Sequence, residues 1–114
     1  MLDYRFCDRT ITLYRLENGK VQRLVVEGCY YFWETKVVKD LSGTRRDTKF
    51  LLIMPGANQR VFVGDRVMEG VGPYITEQEW PGFVPSEITG LGQVAYVRPT
   101  WWDGSVTHVE AGNK

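Results

Sequence analysis

The chain has 114 residues, with 14 basic and 14 acidic side chains and a formal net charge of zero. Hydrophobic residues at 43% and charged residues at 25% are globular values and exclude a wholly disordered chain, while the length fits a single domain, 1–114. The charge balance speaks against a strongly basic nucleic-acid binder, no apolar run reaches the ~18 residues of a membrane helix, and the start has no apolar stretch of a secretory leader.

Twelve glycines and five prolines punctuate the chain, and no segment sustains a helical apolar repeat. The first unit, Thr10 to Gly28, carries Asn18-Gly19 between two β-rich runs. That pair is the signature of a type I′ hairpin turn, which needs φ > 0 at both positions. It predicts Glu17 opposite Lys20, Leu13 opposite Leu24 and Ile11 opposite Val26, with a buried base and a wet tip. The second unit, Cys29 to Met54, reads as two apolar strands joined by a long polar tip over 39–47. The apolar run Phe50 to Met54 before Pro55 predicts a strand covered on both faces.

Arg60 to Val63 reads as a short strand, Gly64-Asp65 as a turn, and Arg66 to Val71 as the next strand. Pro73 to Leu91, with three prolines, reads as an ordered loop with a helical turn at Thr76 to Glu79. Gly92 to Arg98 is a strand, and Asp103-Gly104 marks a third hairpin, which Pro99 puts at a sheet edge. Thr107 to Ala111 closes the fold. The expected class is all-β: a small antiparallel β-barrel or sandwich of seven to eight short strands with one long Pro/Gly-containing loop.

The residues give little sign of catalysis. Cys7 and Cys29 lie 22 residues apart and match no zinc spacing. Both thiols are expected to be reduced, with Cys29 a small core hydrophobe beside Tyr30-Tyr31-Phe32-Trp33. His108 is the only histidine and is read as a surface or edge residue. No metal cluster, cofactor or phosphate loop is indicated, and no enzyme is expected. Lys36, Lys39, Arg45, Arg46 and Lys49 gather around the second hairpin as candidate contacts to a partner or to DNA phosphates. Trp80, Phe83, Trp101 and Trp102 are candidate interface anchors, because large aromatics near turns are enriched at interfaces.

Four segments also resemble a family, one of them the aromatic strand block ending at Trp33, which is similar to the block that follows the family's opening strand. Asp8-Arg9-Thr10-Ile11-Thr12-Leu13-Tyr14 resembles the "x-T-I-T-L-Y-N" opening of small phage and prophage minor capsid or head–tail connector proteins. Val63-Gly64-Asp65-Arg66-Val67-Met68-Glu69-Gly70 is similar to their "G-D-x-V-x-x-G" segment, and the ending from Gly104 to Gly112 to "G-S-x-x-x-H-x-x-V-G-G". Arg15 stands where many relatives have Asn. The resemblance implies a virion protein made in the bacterial cytoplasm. It would form a homo-oligomeric ring with portal, connector or tail components, with possible contact to packaged DNA and none to a membrane. The other reading of the residues is an SH3-like or OB-type barrel that binds nucleic acid through the basic hairpin.

Overall fold

A computed structural model describes residues 4–113, and all their side chains except those of residues 4, 38 and 45–47. Seven strands follow one another: β1 (Arg9–Glu17), β2 (Lys20–Asp40), β3 (Gly43–Pro55), β4 (Arg66–Glu69), β5 (Gly92–Gln93), β6 (Tyr96–Trp102) and β7 (Ser105–Gly112). They form one curled antiparallel sheet in the order β5-β4-β1-β2-β3-β7-β6. Two 3-10 turns, Tyr4–Phe6 and Trp80–Gly82, complete the regular structure among the described residues.

Local turn chemistry sets the hairpins. Asn18 and Gly19 take φ 53° and 76°, and Asp103 and Gly104 take 50° and 79°, the left-handed pairs that the two turns require. The register follows, with Glu17 opposite Lys20, Leu13 opposite Leu24 and Ile11 opposite Val26. Pro99 sits in β6, the outermost strand, where its missing N–H costs no ladder bond.

One long strand serves both halves of the sheet. β2 pairs with β1 up to Cys29 and with β3 from Tyr30 onward. The changeover coincides with Gly28 at φ 74° and with a shift of register beside Arg9. Curling brings the two edges of the sheet together. β5 lies along β4 and β6 along β7, and only Val94 and Ala95 separate them. Their N–H groups donate to Asp65 O and Gly112 O, each at 2.8 Å, so one continuous stretch lies along both edges. The stretch read as a single strand from Gly92 to Arg98 therefore breaks where the chain changes neighbours.

The inner face holds Ile11, Leu13, Val26, Tyr31, Phe50, Leu52, Met54, Val67, Val94 and Val109 around the fully buried Cys29. Burial pushes the Cys29 thiol up to about 11. β1 is buried on its other face as well, because the 70–91 loop covers it. Thr12 there donates to Gly70 O at 2.7 Å and accepts from Gly72 N–H at 2.8 Å, and the Tyr14 hydroxyl donates to Pro73 O at 2.7 Å. The Phe83 ring meets Tyr14 edge-on at 4.7 Å. A side chain at Gly72 would put its Cβ 2.1 Å from the Tyr14 hydroxyl, so glycine is what allows the loop to pass so close.

Two further expectations about this sheet fail. Arg60 to Val63 forms no strand, although Val61 is fully buried. The Phe62 N–H donates to the Asp65 carboxylate at 2.9 Å rather than to a strand. His108 is neither at an edge nor on the surface: β7 lies between β3 and β6, and only 9% of His108 is exposed.

Candidate interaction surfaces

The basic residues lie on a projecting ribbon. β1 stops pairing with β2 at Cys29, and β7 reaches β3 only from Leu51 onward. Beyond those points 34–40 and 43–49 are held by strand pairing to each other alone. The long polar tip read over 39–47 is a regular two-stranded arm instead, paired as far as Asp40 opposite Gly43. Only Leu41 and Ser42 remain as turn, with Asp40 Oδ1 accepting from the Ser42 N–H and hydroxyl at 2.9 and 2.6 Å. Thr48 at the base of the arm is buried and its carbonyl accepts from the Asn113 amide, whereas Lys36, Val37, Lys39, Leu41 and Thr44 are exposed. Thr35, Val37, Thr44 and Thr48 are β-branched and favour the extended backbone.

Lys36, Lys39 and Lys49 are all exposed on this arm. Lys36 stands opposite Asp47 and Lys49 opposite Glu34. Strand alternation puts Lys36 and Lys49 on one face with Glu34, and Lys39 on the other. Arg45 and Arg46 stand opposite Val38 and Val37 in the register, and their side chains lie outside the described residues. Two apolar residues are also bare on the arm: Val37, 59% exposed, and Leu41, which projects fully at the tip.

The four aromatic candidates divide in two. Trp101 and Trp102, beside the Asp103–Gly104 turn, are 64% and 62% exposed. Their hairpin extends past the end of β3, where Pro55 faces His108, so it leaves the sheet away from the arm. Phe83 is buried in the second core, and Trp80 is half-buried against it. These two serve to hold the 70–91 loop in place.

That loop is tied down by arginines that the sequence did not single out. Arg23, Tyr14 and Arg66 form a row across β2, β1 and β4. Arg23 donates to Gly72 O at 3.0 and 2.6 Å and lies over the Tyr74 ring at 4.2 Å. Arg66 donates to Trp80 O at 2.7 Å and Phe83 O at 2.6 Å, with its guanidinium 3.8 Å from the Trp80 ring centre. Burial lowers the Arg66 pKa. A loop without ladders of its own needs such partners for its carbonyls.

The Gly64-Asp65 turn holds a third link. Asp65, 1% exposed, accepts from Arg15 Nε and Nη2, both at 2.7 Å. This paired hydrogen bond raises the Arg15 pKa. Asp65 lies 50 residues from its partner, and the only local sign of its role is the turn itself.

The loop's outer surface is acidic. Glu79 Oε1 accepts from Thr76 N–H at 3.0 Å while Thr76 Oγ1 accepts from Glu79 N–H at 3.3 Å, a capping box that fixes the turn expected at Thr76 to Glu79. Glu77 Oε1 accepts from Val21 N–H at 3.1 Å, tying the turn to the beginning of β2. Backbone hydrogen bonds, from Glu77 itself and Val21 in one case and from Thr76 in the other, hold both carboxyls below the usual range. Beside this turn lies an open groove of about 440 Å³ lined by Met68, Pro73, Ile75, Glu79, Phe83 and Ile88.

No family model, curated protein or solved structure matches this chain. Among the described residues, no group of three or more His, Cys, Asp and Glu side chains is placed to hold a metal ion. None of their helices is long and apolar enough to cross a membrane. The arm and the tryptophan hairpin expose large apolar side chains, Leu41, Trp101 and Trp102, beside charged or polar ones.

Proposed function

We propose that the protein is a structural component of a phage or prophage particle: a minor capsid or head–tail connector subunit that acts by assembly into a ring between portal and tail. The observation that carries this reading is the arm. A two-stranded ribbon on its own is marginal in water, yet this one extends from the sheet with a bare leucine at its tip. Such an element gains its stability and its purpose from a neighbour. The exposed tryptophans at the other hairpin suit a second contact, to a portal or tail component. The four segments that resemble phage proteins point the same way.

Nucleic-acid binding through the arm ranks second. The described lysines are divided between two faces, and Lys36 and Lys49 each stand opposite a carboxylate residue. A phosphate-tracking surface gathers its cations on one side, so this arrangement suits a protein partner better.

Electron microscopy of lysates from a source phage or prophage with the gene interrupted tests the proposal. The expected result is DNA-filled or leaking heads beside unjoined tails. Intact, infectious particles overturn it. Salt-sensitive retention of an oligonucleotide, lost in Arg45→Gln/Arg46→Gln, is the result expected of the second reading.

A further inference from the structure

The net charge is zero, but the charges are unevenly distributed. The stretch from Glu34 to Lys49 has five basic and three acidic residues, whereas Val67 to Val97 has four acidic residues and no basic one. The first stretch is the arm, at the far end of β2. The second includes the acidic turn at Thr76 to Glu79, which is bonded to Val21 at the start of the same 21-residue strand. Leu41 is fully exposed at the arm tip, so the arm of one copy leaves its own surface uncovered.

The two ends are opposite in charge balance, and the groove is large enough for the residue at the arm tip. The arm offers a leucine between lysines. The groove beside the acidic turn offers an apolar floor of Met68, Ile75, Phe83 and Ile88 with Glu79 on its rim. At about 440 Å³ it has room for a leucine side chain and part of the strand that carries it. Backbone hydrogen bonds keep both turn carboxylates ionised and fixed in position.

We propose that the arm of one copy docks on the acidic turn of the next copy, with Leu41 in the groove, Lys39 on one face of the arm toward Glu79 at the groove rim and Lys36 on the other face toward Glu77. The two surfaces differ, so the contact is heterologous. Repeated around an axis it closes a ring without a two-fold partner. It deepens the assembly reading above and rests on it only for the closure of the ring.

Sedimentation velocity on the full chain tests the contact. Wild-type protein is expected to self-associate at low salt, with association weakening at least tenfold when salt screens charges beyond ~3–5 Å. K36E/K39E and E77K/E79K are each expected to lose association at least tenfold, because each meets like charge at the junction. An equimolar mixture of the two restores it, since every junction then pairs opposite charges. A chain that carries both reversals also associates with itself. L41D removes association without altering these charges. Circular dichroism on each variant separates lost assembly from lost folding, and recovery on mixing does so independently.

Wild-type protein that stays monomeric up to ~1 mM, the weak end of specific affinity, overturns the contact. So do oligomers that survive either reversal and L41D unchanged. This last result leaves the assembly reading standing, because that reading is decided by particles in the microscope and not by this junction.

Discussion

The Arg15–Asp65 pair is the place where one substitution should open the sheet. Asp65 is 1% exposed, accepts two hydrogen bonds from Arg15 and one from the Phe62 N–H, and its own carbonyl receives Val94 N–H. Val94 lies where the chain passes from one sheet edge to the other. Arg15→Met leaves the carboxylate buried with one hydrogen bond, and breaking a buried pair in this way costs about 3–5 kcal/mol. Asp65→Ala is expected to cost less, about 2–3 kcal/mol, because the Arg15 side chain is 34% exposed and can turn to water. The double variant is expected to be no worse than Arg15→Met alone, since no charge is then stranded. Urea unfolding of all three gives the cycle, and hydrogen exchange at the Val94 and Ala95 amides shows whether the seam loosens first. A cost below ~1 kcal/mol for Arg15→Met, or strictly additive effects, would refute the argument.

Three other outcomes follow from buried groups. The Tyr31 hydroxyl is buried without a hydrogen-bond partner; Tyr31→Phe is expected to be neutral or to add about 1 kcal/mol, seen as a Tm rise of about 4 °C. The Cys29 thiol titrates near 11 in the fold against an ordinary 9.0. Its stabilising effect is therefore complete below pH 9 and lost as pH rises through 11. Wild type should lose about 2 kcal/mol over that range relative to Cys29→Ala, measured by urea unfolding at several pH values. Arg66→Ala releases the carbonyls of Trp80 and Phe83. It is expected to cost about 2–3 kcal/mol and to make Glu77, Glu79 and Glu87 cleavable by a glutamate-specific protease, which leaves the wild-type loop intact.

What the sequence determined by itself was local. Asn18-Gly19 and Asp103-Gly104 specify their turns because few other residues tolerate φ > 0 twice in succession. The first sets the β1–β2 register from Glu17 back to Ile11, while the second sets only the pairs of Trp101 and Trp102 before the register shifts beside Thr100. Pro99 marked its strand as an edge because it lacks a donor. Thr76 to Glu79 read as a helical turn, and the reciprocal hydrogen bonds that hold it lie within those four residues. In each case the deciding interaction spans only a few positions, so it is legible in the chain. The bare tryptophans at the third hairpin could be read for the same reason.

The tertiary structure decided what depends on distant partners. The arm read as a loop, because alternation of apolar and polar residues vanishes where neither face is covered; its pairing follows from continuing the register begun at Tyr30 opposite Ile53. Arg60 to Val63 looked like a strand, but Phe62 gives its N–H to the Asp65 carboxylate, a partner the local sequence does not announce. His108 sits in a central strand only because β6 returns along β7. Phe83 became core when the 70–91 loop folded onto Tyr14. Arg15 and Asp65, 50 residues apart, show no mutual signal in the chain. Curling of the sheet brings such pairs together, and their energy comes from charge-assisted hydrogen bonds to a carboxylate that is itself out of water.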